Sequence, residues 1–364
     1  MTIQDIVSYL ETIAPLSLQE GYDNAGLLTG NRKTEVTGAL ICLDSLESVI
    51  DEAITLNCNL VIAHHPIIFG GLKRLNGNNY IERTIIKAIK HDIAIYAIHT
   101  NLDNVRHGVN AKIAEKLGLI STRVLSPKQG ILKKLVTFAP VANAGDVRFA
   151  LFEAGGGHIG HYDHCSFSVE GTGTFRGDAT TNPYVGTIGE DHFENEERIE
   201  VIFPSYLQSK LLATLIKVHP YEEVAYDIYS LDNKFQDVGA GLVGVYETPM
   251  EEMEFLQKLK QTMQCGAVRH TKLSGKPVRK VALCGGSGAF LLKDAIAAGA
   301  DVYVSADFKY HEFFDADGRI VIADIGHYES EQYTIELISD LLMKKFATFA
   351  VHLSKINTNP INYL

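Results

Sequence analysis

Two adjacent imidazoles, His64 and His65, close the apolar run Leu60-Val-Ile-Ala63 and are followed at once by Pro66. In open α/β sheets ligands collect beyond the carboxyl ends of the strands, and imidazole is well suited to hold a divalent metal there. Neighbouring strand residues face opposite ways, so both rings reach one site only if the strand ends at this point. Pro66 favours that ending, because it cannot continue a ladder and it restricts His65. A second strand end, Ile98-His99-Thr-Asn-Leu-Asp103, brings another imidazole and a carboxylate to the same rim. The C-terminal half adds Ala323-Asp-Ile-Gly-His327-Tyr-Glu-Ser-Glu331. A helix beginning near His327 sets His327 and Glu331 on one face, one turn apart, and sends Glu329 elsewhere.

Three histidines and two carboxylates, projecting from three strand ends, thus point to one shared site. Five protein ligands are too many for a simple catalytic zinc and too few to saturate two ions without water or hydroxide. The count fits a dinuclear centre bridged by one carboxylate, with coordination positions left open. Mixed imidazole and carboxylate donors suit zinc, manganese, iron, cobalt or nickel, and the absence of nearby cysteine disfavours thiolate-selected metals. Asp44, closing a neighbouring strand, either orients a ligand histidine or caps the helix that follows together with Ser45. Cys284-Gly-Gly-Ser-Gly288 reads as an anion cradle or as a tight βα turn. His311, after a further strand end at Asp307, is either a proton carrier beside the metals or a packing residue.

The elements that must position these residues follow from apolar patterning. Ala39 to Leu43, Leu60 to Ala63 and Ile93 to Ile98 read as short buried strands, with helices over 45–56 and 80–90 between them, which implies a mostly parallel sheet covered on both faces. The same alternation returns over Val281 to Cys284, Asp301 to Val304 and Arg319 to Ile325, with helices near 289–298 and 330–345. A Gly-dense segment intervenes, with helices predicted over 145–153 and 205–218 in a β-α-β-β-α-β order that suggests a ferredoxin-like module. The expected organisation is an α/β metal-binding domain in two halves, 1–127 and 236–364, split by an inserted α+β domain over 128–235.

Composition narrows the function classes. The 364 residues carry 33 Lys+Arg against 44 Asp+Glu, a formal charge of -11, and 46% are hydrophobic, so the chain has material for full cores and no basic surface for tracking phosphates. Direct nucleic-acid binding and a membrane partner are therefore not expected. Thr2 and Asp5 start an amphipathic helix with a capping-box pattern, not a signal peptide. Five scattered cysteines, Cys42, Cys58, Cys165, Cys265 and Cys284, read as buried thiols in a reducing cytoplasm.

Taken in order, Tyr22-Asp-Asn-Ala-Gly-Leu-Leu, His64-His65-Pro66, His99-Thr-Asn-Leu-Asp103, the Gly-Gly-Ser-Gly turn and Gly326-His-Tyr-Glu-Ser-Glu331 resemble the NGG-one-interacting-factor-three-like family. Its bacterial members are labelled GTP cyclohydrolase I type 2 homologues. The resemblance covers nearly the whole chain and implies two divalent ions (zinc, manganese or iron) held by His64, His65, Asp103, His327 and Glu331. It places His99 and His311 close by in orienting or acid–base roles. The middle segment, ending in His219-Pro-Tyr-Glu-Glu-Val224, is similar to the family's inserted module, itself like PII and copper-tolerance proteins, and Asn357-Thr-Asn-Pro360 matches the longer members. The family implies toroidal homohexamers with the insert domains over the openings. Ser305-Ala306-Asp307 departs from the usual glycine before the aspartate, which bears on the backbone beside His311.

The resulting expectation is a metal-dependent hydrolase in which metal-bound hydroxide attacks a carbon or phosphorus centre. The family label implies opening of the GTP imidazole ring, so a nucleotide is one candidate small-molecule ligand, and phosphoester hydrolysis is another candidate reaction. The competing expectation is a metal- or metabolite-responsive regulatory protein or a metal carrier, motivated by the insert. A transcription-linked adaptor follows from the family name alone, and the acidic charge argues against its binding DNA directly.

Overall fold

Ala39–Asp44, Leu60–His65 and Ala94–Ala97 are aliphatic runs with almost no exposed residue, as strands must be when helices cover both sheet faces. They pair in parallel, with Ile41 opposite Ile62 and Ile62 opposite Tyr96. Gly26–Thr29 closes one edge antiparallel to Ala94–Ala97, and Val351–Leu353 closes the other edge parallel to Ala39–Asp44. The computed structural model describes residues 1–364 and resolves into two compact units, Met1–Pro127 with Asp237–Leu364, and Lys128–Gln236.

The C-terminal half of the larger unit gives this first sheet only the edge strand Val351–Leu353; most of it builds a second. Val278–Ser287, Val302–Ala306 and Val321–Asp324 run parallel, flanked by antiparallel Arg269–His270 on one side and by Phe235–Met250 and then Ile120–Lys128 on the other. The two sheets share one core, in which Ile3, Leu10, Ile62 and Tyr96 pack with Val281, Val304 and Ile338. Alternate residues serve the opposite faces: Leu40, Val61 and Ile95 join Ile50 and Ile85 in a separate cluster. Each such side chain contributes roughly 1.5–3 kcal/mol on burial. The helix at Ile3–Ile13 opens as expected, with the Asp5 carboxylate accepting from the Thr2 N–H at 2.7 Å.

In the smaller unit the strands stand in the order Ser166–Phe175, His192–Pro204, Leu132–Pro140, Tyr226–Ser230, all antiparallel. Helices Val141–Glu153 and Gln208–Val218 complete the ferredoxin-like order. The first helix begins four residues before the Gly145 start read from sequence. Pro140 supplies an extended entry, and burial of Ala144 outweighs the low helix propensity of Gly145. Phe203 sits at the centre of this unit's core with Leu135, Leu151 and Leu211. Phe203→Ala is expected to destabilise the unit by about 3–5 kcal/mol, read as a lower urea midpoint; a loss under about 1 kcal/mol would contradict this packing.

Candidate metal centre

The carboxyl ends of parallel strands from both sheets converge inside the larger unit. His64 and His65 end one strand, Asp44 ends its neighbour, His99 and Asp103 follow a third, and His327–Glu331 is a five-residue helix just past the second sheet's Val321–Asp324. His65 Nε2 lies 2.9 Å from Glu331 Oε2, and His327 Nε2 lies 3.1 Å from the same oxygen. His64 Nε2 stands 3.6 Å from Asp103 Oδ1 and 3.8 Å from Glu331 Oε1. Three overlapping sets emerge: His64, His65 and His99; His65, His327 and Glu331; and His64, Asp103 and Glu331. Within each, the donor atoms lie inside 4.8 Å of one another. Glu331, almost fully buried, belongs to two of the three.

Each ring is fixed by what its Nδ1 touches. His64 donates to the Ile98 carbonyl at 2.8 Å, His65 to Asp44 at 2.8 Å, His99 to Asp23 at 2.8 Å and His327 to Asp307 at 2.7 Å. Partners of this kind set the tautomer and raise the basicity of the other nitrogen, as metal-ligating histidines require. Asp44 thus orients His65 and is itself held by the Thr358 hydroxyl from the C-terminal segment. Asp23 also accepts from the Thr100 backbone N–H at 3.1 Å and from its hydroxyl. Residue chemistry alone does not mark Asp23 and Asp307 as orienting groups, since only tertiary structure pairs them with histidines. The one sequence signal for Asp23 was its place in Tyr22-Asp-Asn.

Two atoms test whether the residues fit a metal. His64 Nε2 and Asp103 Oδ1 are both buried, face each other, and have no hydrogen-bond partner. With Nδ1–H committed to Ile98, Nε2 presents a lone pair toward a carboxylate oxygen, a costly arrangement unless a cation lies between them.

The charge balance agrees. Burial lowers His64 below its usual value, against the pull of Glu331. Burial opposes protonation of His65 and His327 too, but their carboxylate partners prevail and push them up to about 10 and about 11. Burial raises Asp103 well above the carboxylate range, and the Glu331 charge adds to this; for Glu331 the opposing burial is overcome by His327, His64 and His65, which hold it low. Burial pushes the Cys284 thiol up, away from the thiolate form.

The Gly-Gly-Ser-Gly segment serves this cluster instead of cradling an anion. Gly285 N–H donates to Asn110 Oδ1 at 3.0 Å and Gly286 N–H to Ser330 Oγ at 2.9 Å, so neither is free for a ligand. Gly286 has φ of 62°, and a Cβ there would stand 2.4 Å from Glu331 Oε1. Gly286→Ala is accordingly expected to push Glu331 aside and weaken metal binding by at least about tenfold in a competition titration with a chromogenic chelator; unchanged affinity would contradict the fit.

His311 is not brought in. It is exposed on the 3-10 segment Tyr310–Ala316, its ring against Tyr310 and Phe314, and it is not among the residues lining the cavity. The chain turns at Asp307, whose φ of 59° is one that Asp tolerates, and the aspartate faces the cluster while the following residues lead away. Ala306, just before that aspartate, is an ordinary buried strand residue.

The cluster opens into a cavity of ≈ 840 Å³ whose wall includes Tyr22, Phe69, Phe290, Tyr328 and Arg269. Convergent strand ends, oriented imidazoles and a shared buried carboxylate define an α/β protein with a candidate metal centre. The chain belongs to the family described as Duf34/NIF3 (NGG1p interacting factor 3), which it matches over residues 1–360. A Bacillus subtilis relative named GTP cyclohydrolase 1 type 2 homolog is 40% identical over 99% of this chain and 98% of its own. A Staphylococcus aureus relative of the same name is 34% identical over both full lengths. Among solved structures, a Bacillus cereus protein related to NIF3 superposes with TM-score 0.87 at 40% identity, covering 100% of this chain and 99% of its own. Staphylococcus aureus SA1388 superposes with TM-score 0.78 at 31% identity and the same coverage. No helix of the chain is long and apolar enough to cross a membrane.

Proposed function

We propose that the chain is a dinuclear-metal-dependent hydrolase, with His64, His65, Asp103, His327 and Glu331 as ligands and Glu331 shared between two divalent ions. The observation that carries this reading is the facing pair of unsatisfied buried atoms, His64 Nε2 and Asp103 Oδ1, beside a carboxylate common to two donor sets. Zinc, manganese or iron bound there would polarise a carbonyl or phosphoryl oxygen and make water acidic enough to react near neutral pH. The residues divide the remaining work. Asp44, Asp307 and the Ile98 carbonyl keep three imidazoles aimed inward. His99, anchored by Asp23, has its other nitrogen available to accept a proton from the attacking water and return it to the leaving group. Tyr22, Phe69 and Phe290 give the cavity flat apolar walls that suit a planar substrate. The curated relatives' name supports ring opening of a guanine nucleotide as one candidate reaction and phosphoester hydrolysis remains the other.

The test is turnover. Incubation of the manganese- or zinc-loaded chain with GTP, other nucleotides and simple phosphoesters is expected to give product that disappears in His65→Ala. Stoichiometric metal binding with no turnover of any of them would overturn the hydrolase and leave the metal-responsive regulatory or carrier reading. The same proposal includes a homohexamer, for which light scattering should give about six times the chain mass; a monomer would remove it.

A further inference from the structure

The motif His219-Pro-Tyr-Glu-Glu-Val224 takes no part in the metal cluster, yet it shapes a cavity of its own in the inserted unit. Buried His219 donates from Nε2 to the Phe138 carbonyl at 2.9 Å and accepts the Tyr221 N–H on Nδ1 at 3.1 Å. That pair of bonds holds Tyr221 so that its hydroxyl donates to Glu196 Oε1 at 2.8 Å. Glu222 accepts the Asn182 N–H at 2.7 Å and ties down the connection between the two long strands. Between them lies a cavity of ≈ 550 Å³.

Its chemistry is specific. Glu196 is only 8% exposed, and Tyr221 is its neutral donor. Its Oε2 occupies space that only glycine leaves open, since a Cβ at Gly173 would stand 2.0 Å from it. The Phe175 and Tyr184 rings stand 5.9 Å and 6.2 Å from the Tyr221 ring, giving π faces on more than one side. Glu170, Glu222 and Glu223 add negative charge to the lining. The lining arginines, Arg176 and Arg198, are engaged at 3.6 Å and 2.9 Å by Asp191 and Glu200, neither of which lines the cavity.

We propose that this cavity binds a small organic cation, an ammonium or guanidinium group carried on an apolar body. Aromatic faces attract such a cation through their quadrupoles, and a largely desolvated carboxylate supplies a strong charge-assisted hydrogen bond. Inorganic cations would gain little from the rings. An anionic nucleotide would meet four carboxylates and two arginines already paired.

The experiment is calorimetric titration of the full-length, metal-loaded chain with agmatine, spermidine and tyramine, and with ATP as the anionic comparison. At least one cationic probe is expected to bind one per chain. Glu196→Gln, which preserves shape and can still accept from Tyr221, is expected to weaken it at least about tenfold, and exposed Tyr184→Leu by about three- to tenfold, with metal content and melting temperature unchanged. No heat from any cationic probe at about 5 mM with folded protein would overturn the proposal, as would equal affinity in Glu196→Gln or tighter binding of ATP than of every cation.

Discussion

Replacing Glu331 by glutamine is expected to leave the chain folded and to cut its metal from about two ions to fewer than about half an ion per chain. The expectation follows from position. One oxygen of Glu331 lies 2.9 Å from His65 Nε2 and 3.1 Å from His327 Nε2, while the other lies 3.8 Å from His64 Nε2. Glutamine keeps the volume but loses the charge, and its amide N–H groups would confront imidazole nitrogens that have no other acceptor. No neighbour can replace it: Asp103 is already committed on the His64 side, 3.6 Å from its Nε2, and Glu329 is turned away to accept from Asn359 at 3.1 Å. Hydrolysis, if present in the parent, is expected to fall by about a thousandfold or more. Plasma mass spectrometry on untagged protein, with a thermal melt to check folding, reads the outcome. Retention of two ions in the folded variant would remove Glu331 from the ligand set.

Metal uptake by the stripped protein is expected to expel protons and to tighten steeply with pH. In the metal-free chain burial opposes charging His65 and His327, but Glu331 with Asp44 or Asp307 holds them up at about 10 and about 11, so both are protonated at neutral pH. A metal requires the neutral imidazoles, so loading both positions releases about two protons, and overall affinity should rise by up to about a hundredfold per pH unit between about 6 and 9. The sign reverses for the metal-free fold. There the raised values stabilise the native state below the ordinary 6.5, and that contribution is lost as pH climbs through about 10 to 11. Calorimetry of zinc binding in two buffers of different ionisation enthalpy counts the protons. A count near zero, with affinity flat across this range, would show that these imidazoles are not the ligands.

The inserted unit gives the chain a second chemical environment, an aromatic and acidic cavity built by a motif that the metal cluster does not use. Its ligand chemistry can be tested independently of the metal centre, because Glu196→Gln and Tyr184→Leu touch none of the residues in the cluster.

Local chemistry alone determined much of this molecule. Apolar runs ending in His-His-Pro and Ile-His mark strands that stop where side chains can converge, because a ladder cannot pass Pro66 and a buried strand cannot carry charge through its middle. The i, i+4 spacing of His327 and Glu331 requires only one helical turn to place both groups together, and that turn is present. The β-α-β-β-α-β order of the insert was legible for the same reason: period and punctuation are local properties.

Tertiary structure decided what depends on distant segments meeting. Most strands of the two halves fall in separate sheets around one shared core, so Glu331 reaches histidines 266 and 267 positions away along the chain, and no periodicity encodes that approach. The Gly285-Gly286 pair was ambiguous as sequence, because its purpose is to make room for Glu331. His311 and Asp307 are only four residues apart, yet a left-handed turn sends the aspartate to His327 and the histidine to solvent. Spacing proposes which groups can share a face; only the packing of the sheets fixes which of them share a site, because the cost of an unpaired buried charge is settled by every neighbour at once.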